Sequence, residues 1–61
     1  MPVSQNAKLT DIAAHVHMET ARAWLINDGH QEVWIPKSQC EKNDDGTFTM
    51  PEWLAKEKGL I

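Results

Sequence analysis

Two β-prone runs separated by a turn sequence do most to limit what this chain can become. Residues 20–26 (Thr-Ala-Arg-Ala-Trp-Leu-Ile) and 32–37 (Glu-Val-Trp-Ile-Pro-Lys) flank Asn27, Asp28, Gly29 and His30. Aromatic and β-branched runs around such a stretch predict an antiparallel hairpin. Pro36 has no N–H for a ladder, so pairing should end there or lie on an edge. The loop length decides which side chains share a face, because a slip of one residue reverses a strand. A three-residue loop over 28–30 sets Trp24 opposite Trp34, Leu25 opposite Val33 and Ala23 opposite Ile35. One face is then uniformly aliphatic, and for that reason this register is preferred. A two-residue loop instead groups Trp24 with Val33 and Ile35, and Leu25 with Trp34.

The hairpin needs something to pack against, and little chain is available. With 61 residues, folding buries only about 60% of the surface that the extended chain exposes. One small domain over residues 1–61 is expected, with residues 1–8 as a flexible arm. Hydrophobic residues at 41% and charged residues at 25% match folded proteins rather than disordered ones. Cys40 is the single cysteine, and no Cys/His set has zinc-finger spacing. The usual staples of a very small domain are therefore missing. Stability must come from a dense core or from self-association.

Residues 9–18 carry two competing patterns. Leu9, Ile12, Ala13 and Val16 have the spacing of an amphipathic helix, whereas His15, His17 and Glu19 alternate with Val16 and Met18 as in a strand. Both remain open. Residues 47–50 (Thr-Phe-Thr-Met) alternate as a third short strand. A helix over 51–58 follows, with Thr49 and Glu52 at capping-box spacing and Glu52 and Lys56 as an i,i+4 pair. Gly59 stops it. Trp53 and Leu54 should anchor this helix in the core, with Leu60 and Ile61 folded behind. The fold class expected is α+β, a small twisted antiparallel sheet of about three strands with the C-terminal helix packed on one face.

A net charge of −3 provides no electrostatic footprint for duplex nucleic acid. The longest apolar run, residues 23–26, is far below the roughly 20 residues that span a bilayer, and the polar start has no signal-peptide core. With one thiol, a cytoplasmic location and no membrane partner are expected.

Candidate chemical sites are weak. His15, His17 and Glu19 could ligate a divalent ion from one strand face, but no second cluster supports them and no metal is expected. Cys40 sits beside Glu41, which raises a thiol pKa, so it makes a poor nucleophile. The acidic stretch 41–46 lacks the ligand pattern of a calcium loop. A non-enzymatic chain without a cofactor is expected.

Three tryptophans in 61 residues are the real anomaly. In the preferred register Trp24 and Trp34 form a cross-strand pair, covered either by the N-terminal segment or by a partner. Exposed beside Arg22 and Lys37, the pair has hot-spot composition. Trp24, Trp34, Arg22 and Lys37 are therefore the candidate partner-binding residues. A homodimer could bury the pair, and single-stranded nucleic acid could stack on it, though the acidity weighs against the latter.

Glu19-Thr20-x-Arg22-Ala23, Val33-Trp34-Ile35-Pro36-Lys37-Ser38 and Pro51-Glu52-Trp53-Leu54-Ala55-x-Glu57-Lys58-Gly59-Leu60 together resemble a family of short uncharacterised proteins encoded by phages and prophages. The resemblance covers about residues 15–61 and brings no site residue with it. What it implies is a setting. Very small acidic phage proteins often bind and occlude a host protein, including as inhibitors of bacterial defence such as CRISPR effectors. Others accompany recombination or replication genes, and a single-stranded nucleic-acid binder is the alternative function.

Overall fold

A computed structural model describes residues 8–61. Seven elements follow in order: β1 (Leu9–Ala13), β2 (His15–Glu19), β3 (Ala23–Asn27), β4 (Glu32–Pro36), β5 (Glu41–Lys42), β6 (Thr47–Pro51) and α1 (Glu52–Glu57). They form two three-stranded antiparallel sheets, β1-β6-β5 and β2-β3-β4. The α+β expectation holds only in its coarse form: instead of one sheet of about three strands there are six strands in two small sheets. The corner lies at Ala14, the one residue between β1 and β2. Its side chain is buried and its N–H donates to the Gly46 carbonyl at 3.2 Å. A bend of this kind lets one run of chain serve both sheets.

Residues 9–18 are extended, in β1 and β2 on either side of Ala14, and the helical alternative falls. Period-two burial wins because Ile12 and Ala14 point into the core while Leu9 is 62% exposed. Thr10, Ile12 and Val16 favour extended backbone, and a helix this short gains little without packing. The expected arm at 1–8 lies outside the described residues except for Lys8. That residue is tied down, its carbonyl accepting the Glu52 N–H at 2.7 Å.

The two sheets share one core of Ile12, Ala14, Ile26, Ile35, Phe48, Met50, Leu54 and Ala55. Burying Ile26, Ile35 and Met50 completely contributes about 1.5–3 kcal/mol each. The expected third strand is β6, with Phe48 and Met50 both inward.

Helix α1 begins without the expected capping box. Pro51 is its N-cap, no side chain caps it, and the Thr49 hydroxyl donates instead to Asp11. The Glu52–Lys56 pair forms at 3.4 Å. At the other end the N–H groups of Gly59 and Leu60 reach the Lys56 and Ala55 carbonyls, a Schellman closure that requires the positive φ of 75° at Gly59. Leu60 packs on the core, whereas Ile61 is exposed. Trp53 is not the expected core anchor. In so short a helix Leu54 and Ala55 take the inward positions and leave Trp53 45% exposed.

Candidate protein-binding surface

The register of the hairpin decides the surface. Asp28 organises the loop: its carboxylate accepts the N–H groups of His30 and Gln31 at 2.8 and 2.9 Å. Those bonds hold the carboxyl below the usual carboxylate range. The Asn27 side-chain carbonyl takes the Gly29 N–H at 2.7 Å. This is Asx-turn chemistry, and it spaces the strands by four residues. The pairs are Asn27 with Glu32, Ile26 with Val33, Leu25 with Trp34, Trp24 with Ile35 and Ala23 with Pro36. The expected three-residue loop and its Trp24–Trp34 pair are overturned. Trp24 and Trp34 lie on opposite faces, the grouping a two-residue loop had been expected to give.

The four candidate binding residues are thereby divided. Trp24 is half-buried on the core face, its ring edge-on to Phe48 with centroids 5.4 Å apart. Lys37 lies over the same ring, with Nζ 5.3 Å from the centroid, and pairs with Glu19. The Lys37 hydrogen bond, with its charge, lowers the Glu19 carboxyl pKa. Arg22 is exposed just before β3, and its carbonyl accepts the Lys37 N–H at 2.8 Å. That contact continues the β3–β4 register and sets Arg22 and Lys37 on the side of Trp24. Trp34 stands alone of the four on the outer face, 42% exposed.

Its neighbours there are Leu25, which the two-residue loop would have grouped with it, and Met18, which the sequence did not single out. Met18 pairs with Leu25, and Leu25 with Trp34, so the three form one apolar row across β2, β3 and β4. Met18 is 54% exposed. An irregularity between Val16 and Met18 creates the row: the extra residue of a bulge resets which side chains face outward. Beside the row runs a polar border, where Glu32 Oε2 meets His17 Nδ1 at 2.6 Å and accepts from the Asn27 amide at 3.4 Å. No sequence pattern foretells the bulge, which is why the strand alternation alone misses Met18.

The same bulge separates the residues weighed as metal ligands. His17 turns to Glu32, and Glu19 pairs with Lys37. Among the described residues no three His, Cys, Asp or Glu side chains are grouped to hold a metal ion. Cys40 is half-buried between β4 and β5, and burial pushes its thiol up to about 11, with Lys58 only partly countering. It is a protonated, weakly nucleophilic thiol at neutral pH. The stretch 43–46 is closed on itself by the Asn43 N–H to Thr47 carbonyl bond at 2.9 Å and by Asp45, which accepts from the Thr47 hydroxyl and N–H.

Comparison with known proteins adds no assignment: no family model, no curated protein and no solved structure matches the chain. No described helix is long and apolar enough to cross a membrane.

Proposed function

We propose that this chain is a non-enzymatic protein-binding module whose contact surface is the outer face of β2-β3-β4, centred on Trp34. The observation that carries the reading is the row Met18–Leu25–Trp34, two of whose members are large, exposed apolar side chains. Single exposed apolar residues are ordinary, but an aligned row with a tryptophan at its end has the make-up of a binding patch. Trp24, Arg22 and Lys37 support it from the far side of the sheet rather than contributing to the contact. In the phage setting that the family resemblance implies, the partner is a host protein in the bacterial cytoplasm. A component of a defence complex such as a CRISPR effector fits, and the mechanism is occlusion of that partner's working surface.

The test is affinity capture of the tagged full chain from bacterial lysate, with wild type beside Trp34→Ala and Trp53→Ala. Trp53 is equally exposed but sits on α1. A stoichiometric protein retained by wild type and Trp53→Ala, and lost with Trp34→Ala, supports the reading. Retention of nothing, or only of nuclease-sensitive material, overturns it.

A further inference from the structure

The protein-binding reading leaves open how a partner is held, and the backbone of β4 bears on that. Among the described strands and helices, β3 alone comes within 8 Å of β4, Cα to Cα. Hydrogen-bonded contacts flank the pair at both ends: the Asp28 N–H donates to the Gln31 carbonyl and the Lys37 N–H to the Arg22 carbonyl. Antiparallel bonding alternates, so Val33 and Ile35 bond to β3. The N–H and C=O groups of Glu32 and Trp34 then point away along an edge that is free among the described residues. Pro36 closes that edge, having no N–H and a carbonyl that already accepts from Gln39. The opposite edge of the sheet, β2, is interrupted by its bulge, a usual means of discouraging pairing. Strand β4 has no bulge.

We infer that the free edge of β4 takes an extended segment of a partner protein as a fourth, antiparallel strand, with an apolar side chain opposite Trp34 and a Lys or Arg two residues later opposite Glu32. The apolar residue lengthens the row Met18–Leu25–Trp34 by one member. The cation meets the single charged side chain of β4, on a chain whose net charge is −3. His17 and Asn27 both contact Oε2 of Glu32, which leaves Oε1 for the incoming charge. Backbone bonds supply the affinity and the two side-chain positions supply the selectivity, as in other strand-addition complexes.

A second copy of β4 is a poorer occupant in the three registers that keep Glu32 and Trp34 within the pairing. Centred on Trp34, self-pairing sets Glu32 against the donor-less Pro36. Centred on Glu32, it opposes two carboxylates, which is unfavourable. Centred on Val33, it sets each Trp34 against a carboxylate.

The inference rests on the protein-binding reading, and amide exchange on the full chain tells the two apart. In the free protein the Glu32 and Trp34 amides should exchange quickly while those of Val33 and Ile35 are protected. A display library of random peptides, about nine residues long and so within strand length, is then panned on the full chain. Selected peptides should share an apolar residue followed two positions later by Lys or Arg. Adding one should slow exchange at Glu32 and Trp34 by about tenfold or more. Peptides that bind, are lost with Trp34→Ala and leave both amides exchanging would keep the face and overturn the edge. Enrichment of no peptide, or a dimer that already protects both amides, would also overturn it.

Discussion

The two sheets share a core and a pairing mode, yet their outer faces have opposite characters. On β1-β6-β5 the outward polar groups satisfy one another, and the exposed Leu9 stands at the strand end opposite Pro51. The Asn43 amide donates to the hydroxyls of Thr47 and Thr49 at 3.0 and 2.8 Å, Thr49 donates to Asp11 at 2.6 Å, and Thr47 donates to Asp45 at 2.6 Å. On β2-β3-β4 the central row is Met18, Leu25 and Trp34, whose one strong hydrogen-bonding group is the Trp34 indole N–H. The difference teaches that sheet architecture does not set the use of a face. Outward residues bonded among themselves make a finished surface, whereas outward apolar residues stabilise the molecule further only when something covers them.

The sharpest attempt to break this comparison is at the shared core. Phe48→Ala removes a ring that is 1% exposed and touches Trp24 from the other sheet. It should cost about 3–5 kcal/mol. Tryptophan fluorescence and far-ultraviolet circular dichroism should then report one coincident urea transition. Two separate transitions would show that the sheets do not depend on each other.

Next comes the apolar face. Trp34→Ala should weaken partner binding by about 2 kcal/mol or more, a hot-spot loss. Its effect on the unfolding midpoint should be small, since a partly exposed strand residue contributes about 1 kcal/mol or less to the sheet. A collapse of the fold would make Trp34 structural.

On the polar face the balance reverses. Asn43→Ala should cost about 1 kcal/mol by leaving two hydroxyls without their donor, with partner affinity unchanged in calorimetric titration. A comparable drop in affinity would extend the contact surface to the first sheet.

The join between the faces has its own pH signature. Because the folded Cys40 thiol titrates at about 11 against an ordinary 9.0, the folded state favours the protonated thiol. Its contribution is complete below pH 9 and is lost as pH rises through 11. Comparing melting temperatures of wild type and Cys40→Ala across that window checks this. The alkaline decline should be shallower in the variant, and parallel curves would place the thiol in water.

The smallest effect is expected at α1. Trp53→Ala should shift stability by about 1 kcal/mol or less, as an exposed substitution does, and should leave binding intact.

Much of the fold was legible in local pattern. The alternation of Thr47, Phe48, Thr49 and Met50 gave β6 its burial, and the Gly59 stop gave α1 its end. The hairpin was legible as a hairpin, because aromatic and β-branched residues around Asn27, Asp28 and Gly29 have few other uses. Its register was not. The Asp28 carboxylate gathers two backbone N–H groups into a four-residue loop, and that bonding separates Trp24 from Trp34. Met18 escaped notice for a similar reason, since a bulge is a property of two strands meeting and leaves no mark on one. The helical spacing of Leu9, Ile12, Ala13 and Val16 was a true pattern without a structure behind it, because β6 offers Leu9, Ile12 and Ala13 a ladder, β3 offers Val16 another, and of the four only Ile12 is buried in the core.

By itself the sequence determined the inventory: strands where branched and aromatic residues alternate, a turn where Asp28 and Gly29 stand, a helix closed by Gly59, and more tryptophan than a chain this small can readily bury. These are short-range consequences of backbone preference and side-chain chemistry. The tertiary structure alone decided that the strands divide into two sheets at Ala14, that Trp24 goes inward against Phe48, and that Trp34 joins Leu25 and Met18 outside. Those outcomes depend on register and bend, where a shift of one residue exchanges the faces of a strand, and a single strand read alone contains no information about its partner's offset.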